Sequence, residues 1–185
     1  MTPPTPFFDE CSGWLQSLLS SPLHRFDDLP HFRHSLERDA VGVYAIWLQF
    51  EGWKRWLCLK IGKAQRKSKS LSGRIYDHWH SRELPNPNVL AAHLLADLEL
   101  ASRSGENLRE QAGRQRLLAR WCRFQVVEVR EDITPRELAI LECRVAAELE
   151  PRYIGLCSGY PPLGEPGLES LQPTGLVCEV EAPEG

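Results

Sequence analysis

The chain has 185 residues with a formal net charge of −3; 25% of the residues are charged and 42% hydrophobic. That is the composition of one globular domain with its own core, which excludes disorder along the whole chain and any need for a disulfide or metal scaffold. No uncharged stretch approaches the ~18 apolar residues of a membrane span. The start MTPPTPFFDEC has no basic segment ahead of an apolar run, so a soluble, unprocessed, cytoplasmic protein is expected.

Residues 1–40 read as an N-terminal helix and connector. In FFDECSGWLQSLL the residues Phe7, Cys11, Trp14, Leu15, Leu18 and Leu19 recur at helical spacing, and the polar, His-rich segment 24–39 follows. Residues 41–156 form the predicted domain. There VGVYAIWLQF reads as a strand from its β-branched and aromatic content, Glu51-Gly52 interrupts it, and WKRWLCLKIG resumes the pattern, giving a β-hairpin. After a Lys/Ser-rich loop, LSGRIYDHWH places Leu71, Ile75, Tyr76 and Trp79 on a helical stripe. A second helix is predicted over Asn86–Leu100, with Val89, Leu90, His93, Leu94 and Leu98 along one side, whereas 101–116 is polar and gives no clear element. WCRFQVVEV reads as the next strand. Thr134-Pro135-Arg136-Glu137 then supplies a capping box with proline at the first helical position, opening a helix that runs to about Glu150, ahead of Pro151. The remainder, 157–185, is a Pro/Gly-rich acidic tail too poor in apolar residues to offset its own ordering entropy, so it is expected to wrap the surface or stay mobile. The fold expected from this order is α/β, a small antiparallel sheet of about three strands flanked by helices.

Six cysteines at wide, irregular spacing, with no CxxC, predict reduced thiols and no structural zinc. Charge is strongly polarised. Residues 54–82 hold nine basic side chains against Asp77 alone, while 131–185 hold eleven acids against three arginines. A basic block in an acidic chain reads either as a polyanion site, with affinity falling steeply in salt, or as a solvated lysine-rich loop.

A distinctive set of residues falls on these elements. Gly42-Val43-Tyr44 lies in the first hairpin strand and Lys60-Ile61-Gly62-Lys63-Ala64 ends the second; Arg74 and His78 follow at i, i+4 on one helix face, and Glu142 sits within the last helix ahead of Glu150-Pro151-Arg152-Tyr153. In this order, over about residues 41–156, the chain resembles the GIY-YIG endonuclease superfamily: GVY for GIY, KIGKA for YIGKA, the R-x-x-x-H helix and the metal-ligand glutamate. Two positions depart from that pattern, Lys60 where the second motif normally begins with tyrosine and Ile154 where an asparagine often follows the proline.

The resemblance implies a metal-dependent endonuclease acting on nucleic acid, DNA foremost, with Tyr44, Lys63, Arg74, His78 and Glu142 as the catalytic set. Glu142 would hold Mg²⁺ or Mn²⁺, hard cations that accept one carboxylate and complete their shell with water and phosphate oxygens. Arg74 would fork onto the scissile phosphate. Tyr44 is the candidate base, with His78 accepting a proton directly or through it, since an unperturbed imidazole titrates near neutrality. Lys63 would lower the pKa of Tyr44 or of the water by its charge. Gly62 would let the backbone approach the substrate, and Lys60, Arg66, Lys67 and Lys69 would contact it. Lys60 has a second reading, a strand lysine pointing to solvent.

Blander readings stand beside these. Tyr44 fits a half-buried strand tyrosine, and Arg74 with His78 a solvated helix face on which Asp77 pairs locally. Glu142 is bracketed by Leu138, Leu141 and Val145, a setting that is costly for a carboxylate unless it is paired or metal-bound. His80 lies off the Arg74 face, and His93, among leucines, reads as a satisfied core histidine. Trp53 and Trp56, flanked by Lys54 and Arg55, either anchor the hairpin or stack on bases. Two other functional classes are compatible with the sequence: a catalytically silent nucleic-acid-binding module, and a protein-interaction domain.

Overall fold

The computed structural model of the protein describes residues 6–35, 40–65, 70–80 and 90–153. Along them run α1 (Pro6–Ser20), β1 (His24–Arg25), α2 (Leu29–Ser35), β2 (Gly42–Leu48), β3 (Leu57–Ala64), α3 (Leu71–His80), α4 (Leu90–Ala96), α5 (Leu98–Ser104), α6 (Gln111–Trp121), β4 (Cys122–Glu128) and α7 (Pro135–Leu149). The sequence expectations for Arg66, Lys67, Lys69, Ile154 and the tail fall outside the described residues.

The strands form one antiparallel sheet in the order β1-β4-β2-β3. All seven residues of β2 are buried, which explains why its sequence is apolar throughout instead of alternating: helices cover both faces of this central strand. Tyr44 pairs with Gly62 and Ile46 with Lys60, after which the register shifts so that Trp47 faces Cys58. Leu59 is the extra residue of this bulge. About three strands were expected and four are present among the described residues. The fourth, β1, is a two-residue strand held on β4 by His24↔Phe124 and Arg25↔Arg123, too short for periodicity to reveal in a polar segment.

Two cores flank the sheet. On one face Tyr44, Ile46, Leu48 and Phe124 pack with Leu71 and Ile75 of α3 and with Phe26, Leu29 and Phe32; on the other Val43, Ala45, Trp47 and Ile61 pack with Leu138, Leu141, Val145 and Leu149 of α7 and Leu15 and Leu18 of α1. The segment read as an N-terminal helix and connector therefore contributes to both cores, each buried large aliphatic or aromatic side chain stabilising the fold by roughly 1.5–3 kcal/mol. α7 begins at the capping box anticipated from sequence, with Glu137 N donating to Thr134 Oγ1 (3.2 Å) and Thr134 N donating to Glu137 Oε2 (2.8 Å). It ends where Glu150 takes a left-handed conformation (φ 43°), and that reversal lays Arg152 and Tyr153 along the outer edge of β3. Their amides donate to Cys58 O and Leu59 O, both at 2.9 Å.

The single helix predicted over Asn86–Leu100 is two helices. Asp97 breaks it by accepting from Leu100 N at 2.9 Å as the N-cap of α5, and Leu98, placed on the apolar stripe in the sequence reading, is 77% exposed. Segment 101–116 holds the end of α5 and the start of α6. Among the described residues, Cys11, Cys58, Cys122 and Cys143 are free thiols. No helix among them is long and apolar enough to cross a membrane.

Candidate active site

Tyr44 lies two rungs in from the start of β2, directly opposite Gly62 on β3. A Cβ at position 62 would overlap the Tyr44 ring and hydroxyl, so the glycine is what lets the phenol lie flat across the neighbouring strand. The sequence reading assigned that close approach to substrate; the group that makes it is the tyrosine. Tyr44 is 3% exposed.

His78, 5% exposed on α3, meets it there, with Nε2 2.7 Å from the Tyr44 hydroxyl. The backbone amide of Leu90 donates to the other ring nitrogen, Nδ1, at 3.2 Å. Nδ1 thus carries the lone pair, and a neutral imidazole then keeps its proton on Nε2 and donates it to the Tyr44 oxygen. Burial, reinforced by the charges of Lys60 and Arg74, pushes His78 down to about 3. In this arrangement His78 donates to the Tyr44 oxygen, where the resemblance has it accept a proton directly or through Tyr44. Its bond leaves the hydroxyl proton of Tyr44 directed elsewhere and would stabilise a phenolate. Burial raises the Tyr44 hydroxyl above its ordinary value; Arg74 opposes this and Glu142 and Asp77 add to it. The net direction is upward, whereas the resemblance has Lys63 lowering the pKa of Tyr44 or of the water.

Arg74, one turn before His78, is partly buried, and its Nε is buried without a hydrogen-bond partner. Lys60 is 3% exposed, which overturns its solvent-facing reading. Paired with Ile46, it shares the Tyr44 face of the sheet, and its charge lowers both His78 and His93. His93 is not a satisfied core histidine, because its Nε2 is buried without a hydrogen-bond partner while its ring stacks on Tyr153 at 5.0 Å.

Lys63 and Glu142 meet on the opposite, α7 side of β3, Nζ to Oε2 at 2.7 Å. The carboxylate bracketed by leucines and valine is accommodated by this pairing, with side-chain exposures of 27% for Lys63 and 18% for Glu142. Glu142 adds to the upward shift of the Tyr44 hydroxyl from the other side of β3. No group of three His, Cys, Asp or Glu side chains forms among the described residues. Glu142 would offer a hard divalent cation one carboxylate, and the remaining ligands would have to come from water and a phosphate.

One polar cluster escaped the sequence reading. Asp97 accepts from Arg152 Nε (2.7 Å), Arg152 Nη2 (3.2 Å), Tyr153 Oη (2.6 Å) and Leu100 N (2.9 Å), while Arg152 also reaches Glu99 at 2.9 Å. Burial would raise the Asp97 carboxyl, but these donors together hold it below its usual range. The cluster fastens Tyr153 against His93 and against the edge of β3 beside Lys60. The Pro151-Arg152-Tyr153 motif was visible in the sequence; its partner Asp97, 55 residues away, carried no signal.

Of the basic block, Lys54 and Arg55 are exposed, Lys60 is buried and Lys63 is paired, so the block is not one solvated face. Comparison of the chain with protein-family models, with curated proteins and with solved structures gives no match.

Proposed function

We propose that the chain is a metal-dependent endonuclease hydrolysing nucleic-acid phosphodiesters, DNA foremost, in the cytoplasm. The observation that carries the reading is the orphaned guanidinium nitrogen of Arg74 beside the Tyr44 and His78 pair. A buried donor with no acceptor costs roughly 1–3 kcal/mol, a cost that an anionic ligand would remove. A phosphate oxygen accepted there would lie within reach of a phenol whose oxygen is already held by His78 Nε2.

On this reading each residue of the site has a role. Arg74 binds and orients the phosphate. Tyr44, as phenolate, takes the proton of the attacking water, and the His78 N–H and the Arg74 charge stabilise the phenolate. Gly62 fixes the ring. Lys63 orients Glu142, the residue that would hold Mg²⁺ or Mn²⁺; when bound, that ion supplies Lewis-acid stabilisation of charge on the phosphate. Lys60 contributes a buried positive charge that keeps His78 neutral. The free thiols agree with a reducing compartment.

A second reading, a silent nucleic-acid-binding module, is favoured by two facts: burial raises the Tyr44 hydroxyl, and Lys63 already occupies one oxygen of Glu142. Incubation with supercoiled plasmid and Mg²⁺ or Mn²⁺ separates the two. Nicking by the wild type that disappears with chelator and in Glu142→Ala supports the nuclease. Retardation of the same DNA without cleavage supports the silent module, and neither signal removes both.

A further inference from the structure

Away from Tyr44, at the hairpin end of the sheet, a groove of about 840 Å³ opens between the β2–β3 connection, the end of α6 and the edge of β1. We propose that it is a second nucleic-acid contact, a stacking site for an unpaired nucleotide of the strand being processed. The inference rests on the reading of the chain as acting on nucleic acid and adds a substrate class to it: substrates with a single-stranded or distorted segment.

Three indoles line the groove, Trp53, Trp56 and Trp121, all half-buried, whereas Trp47 is fully buried and serves as a core residue. Phe50 meets Trp53 and Trp121 edge-on, at 5.1 and 5.3 Å between centroids, and so sets the angle of both rings. Gln49 braces the same corner, its amide donating to Trp121 O at 3.0 Å and its side chain to Trp53 O at 2.9 Å. Aromatic rings held at fixed angles at the edge of a groove are what base stacking needs, and stacking is indifferent to base identity.

The surrounding charge selects among ligands. Arg25, Arg120 and Arg123 line the groove against the single acid Glu51. Arg120 lies 4.5 Å over the Trp121 ring, and Arg103 lies 5.7 Å over Trp53. Guanidinium groups already on two of the indoles would repel a cationic ligand and leave the site suited to a planar, anionic one. The Trp121 Nε1 is buried without an acceptor. From Tyr44 to Gln49 the chain advances at most roughly 17 Å, about five base-pair rises.

The test is fluorescence anisotropy of a labelled oligothymidine of about twelve nucleotides, a length within reach of one such surface, read in chelator so that binding is separated from cleavage. Arg120→Glu and Trp53→Ala are each expected to weaken binding about tenfold, Trp53→Phe to restore most of it, and charge reversal at the exposed Arg109 outside the groove to change it little. Equal affinity in Arg120→Glu, Trp53→Ala and wild type overturns the groove even if plasmid is cleaved. It then leaves that face to a protein partner. Groove-dependent binding without any cleavage keeps the groove and removes the nuclease, and binding to no nucleic acid overturns both.

Discussion

The two faces of the sheet carry different kinds of polar group at the same end of the molecule. On the α3 face Tyr44, His78 and Lys60 are each about 5% exposed or less, and the phenol and imidazole hold each other in a dry layer. On the α7 face Lys63 and Glu142 are paired and partly open to water. The difference follows from strand alternation, since neighbouring residues Gly62 and Lys63 of β3 must point to opposite sides. It teaches that a buried hydrogen-bonded pair and a part-exposed ion pair can be separated by one strand. Desolvation, which ruins a charged pair, is tolerable for a neutral hydrogen-bonded one.

The sharpest way to break the comparison is to remove one hydroxyl from the dry face. Tyr44→Phe is expected to lower the cleavage rate on plasmid by about 10²–10³ or more while the protein stays folded, losing roughly 1–3 kcal/mol for the stranded His78 donor. Unchanged cleavage would remove Tyr44 from the chemistry. Gly62→Ala comes next. Its Cβ must displace the Tyr44 ring, costing about 1–3 kcal/mol in denaturant unfolding and most of the activity together.

The dry face also has a pH signature. The folded value of His78 is depressed to about 3 against 6.5 in the unfolded chain, so acid protonates the unfolded state first. The stability it contributes is present above about pH 6.5 and is lost as pH falls from there toward 3. His24 and His93 are lowered as well and act in the same direction. The thermal midpoint should therefore drop between pH 6.5 and 4, with a shallower slope in His78→Asn; an identical slope would contradict the burial of a neutral imidazole. The smallest effect sits on neither face. Thr134→Ala removes the cap of α7 and should cost about 1 kcal/mol with cleavage unaffected, a pairing of results checked by melting and assay together.

Much of this arrangement was readable beforehand because it is local. The hairpin, α3 and the α7 capping box each announce themselves within a few residues, and Arg74 with His78 share a face by helical spacing alone. What escaped depends on distant partners. Asp97 reads as one polar residue in an apolar stripe until Arg152 and Tyr153 arrive to hold it, and α6 is hidden by charge because Arg114 sits buried there, donating to Leu108 O at 2.9 Å. Lys60 was ambiguous for a related reason. A lysine between Leu59 and Ile61 suggests a solvent face, and on β3 that side is covered, by α3. The protonation pattern of Tyr44 and His78 turns on one backbone amide, that of Leu90, which no side-chain motif reports.

The most direct test of the claim that both faces serve one centre is a double-mutant cycle of Tyr44→Phe and Glu142→Ala, with plasmid cleavage rate as readout. If phenol and carboxylate act on the same phosphate, each single change should remove nearly all the activity and the double variant should be little worse than either. Losses that add independently, or a wild type that cleaves nothing under any divalent ion, would contradict it.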